Sequence, residues 1–114
     1  MQRRLPKLAL LALLTAGCFA RPGSIGAVLA QSKGDGRVTV RETPPGLPAA
    51  EGGIVPGDEV LLIDGRDVRG MSPEAIHLAL EGEIGSTVQV TLLRAGKVER
   101  IALRRAPLAA PGAR

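Results

Sequence analysis

Aromatic residues are almost missing from this chain of 114 residues, which holds one Phe and no Tyr or Trp. Proteins that hold single-stranded nucleic acid stack its bases on aromatic rings, so that class of function falls away. A single Cys excludes an internal disulfide framework and a thiolate-rich zinc site. A single His excludes the multi-histidine metal sites, and no cofactor is expected. Distributed positive charge is scarce as well. The formal charge is +4, but three of the 15 Lys and Arg residues are Arg3, Arg4 and Lys7, and without them the chain comes within one charge of balance against 11 acidic residues. Only Arg104-Arg105 remains as a basic pair near the end, so no nucleic acid partner is expected.

What is abundant points to a small sheet-rich domain. Hydrophobic residues make up 45% of the chain, enough for a globular core, and 15 Gly with nine Pro imply many turns between short strands.

Residues 1–20 read as an export signal. A basic start is followed by the apolar stretch Leu8 to Leu14 and then by small residues. The uncharged run from Leu8 to Ala20 is shorter than the roughly 20 residues that cross a bilayer. Leu14-Thr15-Ala16-Gly17-Cys18 resembles the bacterial lipoprotein box, with Thr15 where Leu is usual, and makes Cys18 a candidate lipidation site. Cleavage after Ala20 or after Ala30 also fits the small-residue pattern. The expected localisation is the periplasm or cell envelope, with a lipid tether if Cys18 is acylated.

Beyond Gly23 the pattern is short and regular. Ile25 to Leu29 and Val38 to Arg41 read as strands, with a turn at Lys33-Gly34-Asp35-Gly36 between them. Pro48 to Glu51 offers one helical turn, stopped by Gly52-Gly53. Glu59 to Ile63 is apolar on both faces, as a covered central strand is, and Val68 follows the Asp64-Gly65 turn in a brief strand. Ser72-Pro73 opens the one substantial helix, with Ser as N-cap, Pro at the first helical position and Glu74 against the positive helix end. Gly82 is its natural stop. Val88 to Leu93 and Val98 to Leu103 form a hairpin turned at Ala95-Gly96, and 106–114 reads as a disordered tail.

Three segments then carry a resemblance. Gly46-Leu47-Pro48-Ala49-Ala50, Ile54-Val55-Pro56-Gly57-Asp58-Glu59 and Val60-Leu61-Leu62-Ile63-Asp64-Gly65 are similar to the signature of bacterial PDZ domains. Such domains occur in carboxy-terminal processing proteases and high-temperature-requirement serine proteases. The helix, Gly85-Ser86-Thr87-Val88 and Thr91-Leu92-Leu93-Arg94 continue the match in order. Glu51-Gly52-Gly53 departs from it, since relatives often carry Lys or Arg and then Ala before the Gly. The resemblance implies an α+β, mainly β fold: a five- to six-stranded, partly open barrel or sandwich over 23–105, capped by one short and one longer helix.

It also implies a site. A partner peptide adds a strand to the sheet edge beside the longer helix, with its terminal carboxylate held by backbone N–H groups of a preceding loop. Gly23-Ser24-Ile25-Gly26 resembles that loop, and Ala27-Val28-Leu29-Ala30 the docking strand. The implied peptide-binding residues are therefore Ser24, Ile25, Gly26, Ala27, Val28 and Leu29, with His77 and Leu80 from the helix. Leu80 would shape an apolar pocket for the guest's last side chain, and His77 would meet a side chain two residues upstream or stand as a plain surface residue. Pro73 and Glu81 share that helix face, while Ile76 and Ala79 read as core.

No catalytic residue is expected. Ser24, Ser32, Ser72 and Ser86 fall in loops or a cap with no Ser-His-Asp spacing, and Asp58, Asp64 and Asp67 read as turn residues. The expected function is an exported, non-enzymatic module that captures extended or C-terminal peptide segments. Alternatives are a structural envelope lipoprotein and a non-catalytic subunit of an envelope protease.

Overall fold

Which face of each strand is buried follows from period-two alternation, and the computed structural model, which describes residues 22–108, shows the result. Strand β1 is Pro22–Gly23, β2 Val28–Gln31 and β3 Val38–Glu42. Helix α1 spans Pro48–Glu51, β4 Glu59–Ile63 and β5 Arg66–Asp67. A 3₁₀ turn at Val68–Gly70 leads to helix α2, Pro73–Leu80, and the chain closes with β6 Gly82–Glu83, β7 Thr87–Arg94 and β8 Lys97–Arg104. Residues 1–20, read as an export signal, with Cys18 among them, and residues 109–114 lie outside the described residues.

The larger sheet is antiparallel in the order β2-β3-β4-β7-β8, with β5 paired to β4. Val38, Val40, Val88, Val90 and Leu92 are buried toward the core, while Arg41, Glu42 and Gln89 point to water. β4 is central, as its apolar run implies. β7 and β8 pair along their whole length because Ala95 and Gly96 both take positive φ, 51° and 79°, the primed turn whose twist matches a hairpin. Mainly β, open-edged and capped by one short and one longer helix, the architecture is PDZ-like, as the resemblance implies.

Several local expectations shift. The strand read from Ile25 begins only at Val28, because Gly26 takes φ +72° and the Ile25 carbonyl accepts the Ala49 N–H at 2.8 Å, which bends this segment into a loop. Val68 stands in the 3₁₀ turn, not in a strand, and the Asp67 side chain caps that turn by accepting the Arg69 N–H at 2.9 Å. At the start of α2 the Ser72 hydroxyl accepts the Ala75 N–H, as the cap pattern predicts. Its end differs. Gly82 does not stop the helix by a left-handed turn but pairs with Gly23 in a second, two-stranded sheet. The orphan carbonyls of Ala79 and Leu80 are met instead by the Arg105 guanidinium, at 3.2 and 2.8 Å, which stands at the negative end of the helix. A Cβ at Gly82 would lie 2.8 Å from that guanidinium.

Ala106, at the head of the segment read as a tail, is also engaged. Its N–H and carbonyl bond the carbonyl and N–H of Ser24, at 2.9 and 3.0 Å. Asp58 is only 2% exposed and takes both Arg94 Nε (2.8 Å) and Arg94 Nη2 (2.6 Å), as well as the Val55 N–H at 3.0 Å. Asp58 is a turn residue, as expected, and it is also the anchor that fixes the 53–58 loop against the end of β7.

Candidate functional site

β2 is an edge strand: one side pairs with β3, and the other faces α2 across a groove enclosing about 320 Å³. That volume sits at the lower end of the usual range for ligand sites. Gly26, Ala27, Leu29 and Gln31 form the sheet-side wall, and Pro73, Ile76, His77 and Leu80 the helix-side wall. Spacing places them there. Leu29 and Gln31 are two apart on β2, Ala27 stands just before it, and Pro73, His77 and Leu80 are three or four apart on α2.

At the closed end, the loop before β2 offers a concentration of donors. Among the described residues the backbone N–H groups of Ile25, Gly26 and Ala27 have no intramolecular acceptor. Three successive N–H groups around a residue of positive φ form a concavity suited to an anion. Gly26 alone permits it, since at φ +72° a Cβ would also lie 2.6 Å from Leu47 Cβ.

The predicted residues occupy different roles in this geometry. Ser24 lines the groove and is 7% exposed, but its N–H is spent on Ala106, so the free donors are those of Ile25–Ala27 rather than of the whole Gly23–Gly26 loop. The Ile25 side chain is buried in the core at 3% exposure, leaving only its backbone toward the groove. Val28 points its side chain to solvent and contributes backbone edge. Gly26, Ala27, Leu29, His77 and Leu80 come together around one space. His77 is exposed, with Nε2 2.8 Å from Glu81 Oε2. If Nε2–H donates in the neutral ring, Nδ1 is left as an acceptor. Ile76, read as core, is both core and groove wall, because it stands three after Pro73 and four before Leu80, on the border of the groove-facing side.

Two lining residues were not anticipated. Gln31 bridges from its Nε2 to the Met71 carbonyl at 3.0 Å, tying the far end of β2 to the turn before α2. Leu108 lies at the groove beyond the Ser24–Ala106 bridge. A large apolar residue in an Ala- and Pro-rich tail was the signal available in the sequence.

The family model described as PDZ domain matches residues 19–93. The chloroplastic C-terminal processing peptidase of Tetradesmus obliquus is 35% identical over 83 residues, covering 72% of this chain and 18% of that protein. The chain thus spans less than a fifth of this relative's length. The PDZ domain of a carboxy-terminal protease from Vibrio cholerae, solved in complex with peptide, is 25% identical with a TM-score of 0.65, covering 75% of this chain and 96% of that one. An HtrA-type protease, AlgW, solved with a decapeptide, shares the fold at a TM-score of 0.70 and 20% identity, covering 92% of this chain and 36% of that one. The matching region is a PDZ domain, a non-catalytic module of proteins that are themselves proteases.

Proposed function

We propose, from the premise that this chain belongs to the PDZ domain family, that it captures the C-terminal or extended segment of a partner protein by adding it as a strand to the free edge of β2. The observation that carries this reading is the unpaired edge of β2, facing α2, with three unspent N–H groups at its closed end. A guest running antiparallel to β2 places its carboxylate at Ile25–Ala27, its last side chain against Leu80 and Ile76, and the side chain two residues upstream by His77. Main-chain bonds supply affinity and the alternate side chains supply selectivity. Affinity on the order of micromolar is expected, because one short strand buries little area and must be ordered on binding. Titration of the purified protein with a library of C-terminal peptides, each as free acid and as amide, tests it. Saturable binding that weakens on amidation supports the proposal, and no saturable binding by any peptide rejects it.

We assign no chemistry to the module itself and place its work at the cell envelope. Supporting this are the basic, apolar and small-residue segments of residues 1–20 and the candidate lipidation site Cys18. An intact mass from the membrane fraction that includes acyl chains on Cys18 is the expected result. A soluble product beginning at Arg21 removes the tether.

A second reading has one observation in its favour: Leu108, at the groove, can compete with a guest's last side chain. Leu108 is 42% exposed, so its remaining contacts amount to roughly 1 kcal/mol, or about fivefold in affinity. Truncation after Ala106, which keeps the bridge to Ser24, is expected to tighten peptide binding by about that factor. Unchanged affinity would make Leu108 a bystander.

A further inference from the structure

The groove does not stop at Gln31. Gln31 and Pro73, which line its open end, also line a second hollow of about 580 Å³ formed by the β2–β3 turn and the 3₁₀ segment. Lys33 and Arg69 are the cations of that hollow, and Asp35 is its acid. The two signs are not equally available. Asp35 Oδ1 already accepts the Arg37 N–H at 3.1 Å, and Oδ2 lies 3.6 Å from Arg37 Nε. Arg69 approaches one carboxylate only: its Nη2 is 3.6 Å from Glu59 Oε2, too long for a hydrogen bond, and that buried oxygen accepts none. Among the described residues, neither the Lys33 ammonium nor the Arg69 guanidinium donates a hydrogen bond to the protein. The open end of the groove therefore presents one unpaired cation, Lys33, and a guanidinium, Arg69, held only by a long ion pair to Glu59, beside an acid that Arg37 already engages.

We infer that this hollow is an extension of the peptide site that selects guests carrying acidic residues upstream of their C-terminal four. The inference rests on the groove reading above. Strand pairing sets the distance. Guest and β2 advance by about 3.3 Å per residue in opposite directions, so a guest ending at Ala27 brings roughly its fifth to eighth residues, counted back from its end, past Gln31 to Lys33 and Arg69. Carboxylates there meet donors that no protein group occupies, whereas a basic segment meets like charge. Such contacts at a wet rim govern association and choice of partner more than total affinity, and salt screens them.

The probes are the C-terminal tetrapeptide that binds best in the library titration and three octapeptides that prefix it with four Glu, four Gln or four Lys. With the full chain at low salt, the Glu octapeptide is expected to bind about three- to tenfold more tightly than the Gln form, and the Lys form more weakly. At about 0.5 M NaCl the difference should vanish. Lys33→Glu, in an exposed turn, should erase or invert the preference, and Arg69→Gln should reduce it, with tetrapeptide affinity within twofold of the parent for both. Tetrapeptide binding with no order among the octapeptides overturns this inference and leaves the groove standing. Absence of binding by all four peptides overturns both.

Discussion

Arg94→Met is expected to destabilise the domain by about 2–3 kcal/mol, the cost of leaving the nearly buried Asp58 carboxylate short of its main donors. Asp58 is the partner that cannot reach water: it is 2% exposed, while the Arg94 side chain is 32% exposed. Removing Arg94 strands a buried carboxylate with one remaining donor, the Val55 N–H. Asp58→Asn leaves a guanidinium that can turn to solvent and should cost less, about 1–2 kcal/mol. For a domain of this size the larger loss lowers the melting temperature by on the order of 20 °C. An Asp58→Asn variant less stable than Arg94→Met would refute the assignment of the buried partner.

The pH dependence of the same pair has a definite sign. The Arg94 hydrogen bonds, aided by the Val55 N–H and opposed by burial, hold the Asp58 carboxyl below its ordinary value. Its contribution is thus complete above the unfolded value, about 3.9, and is lost as pH falls through the lower folded value. In Arg94→Met the main cause of that depression is gone while burial remains, so protonation relieves the variant. The stability gap between parent and variant should narrow as pH drops from 6 toward 3, which denaturant titrations across that range would read.

Ala27→Glu is expected to weaken C-terminal peptide binding by about a hundredfold with little change in melting temperature. Ala27 lines the groove, is half-buried, and its N–H is one of the three donors at the closed end. A carboxylate on that side chain meets the guest's carboxylate in a confined site, where like charges cost several kcal/mol. The amide form of the same peptide lacks that charge and should lose much less on the substitution. This difference separates electrostatic repulsion from simple blockage. Peptide affinity within twofold of the parent, with the fold intact, would remove the closed end of the groove from the binding site.

The fold was legible wherever its causes lie within a few residues. Val38 and Val40 alternate with Thr39 and Arg41, Ser72 caps the turn that follows it, and Ala95-Gly96 adopts a primed two-residue turn whose twist suits its strands. The groove residues Gly26, Ala27, Leu29, His77 and Leu80 were legible for a different reason: three motifs far from them resemble a known family and imply what should stand there. Ile25 shows the limit of local reading. Its neighbours are apolar and look like a strand, yet its carbonyl is claimed by Ala49 from 24 positions away, and the chain bends.

The sequence by itself determined which faces are apolar, where the chain turns and that a PDZ-type groove should form beside the longer helix. The first two are period, capping and turn properties, settled by neighbours along the chain, and the third is what the family resemblance implies. Only the tertiary structure decided how that groove is closed and what reaches it. Arg105 finishes a helix that ended 25 residues earlier, Ala106 takes up the Ser24 donor, Leu108 reaches the groove, and Lys33 and Arg69 line one hollow at the far end. Each joins segments distant in sequence, and orphan carbonyls and backbone donors take whichever partner the closing of the sheet brings within reach.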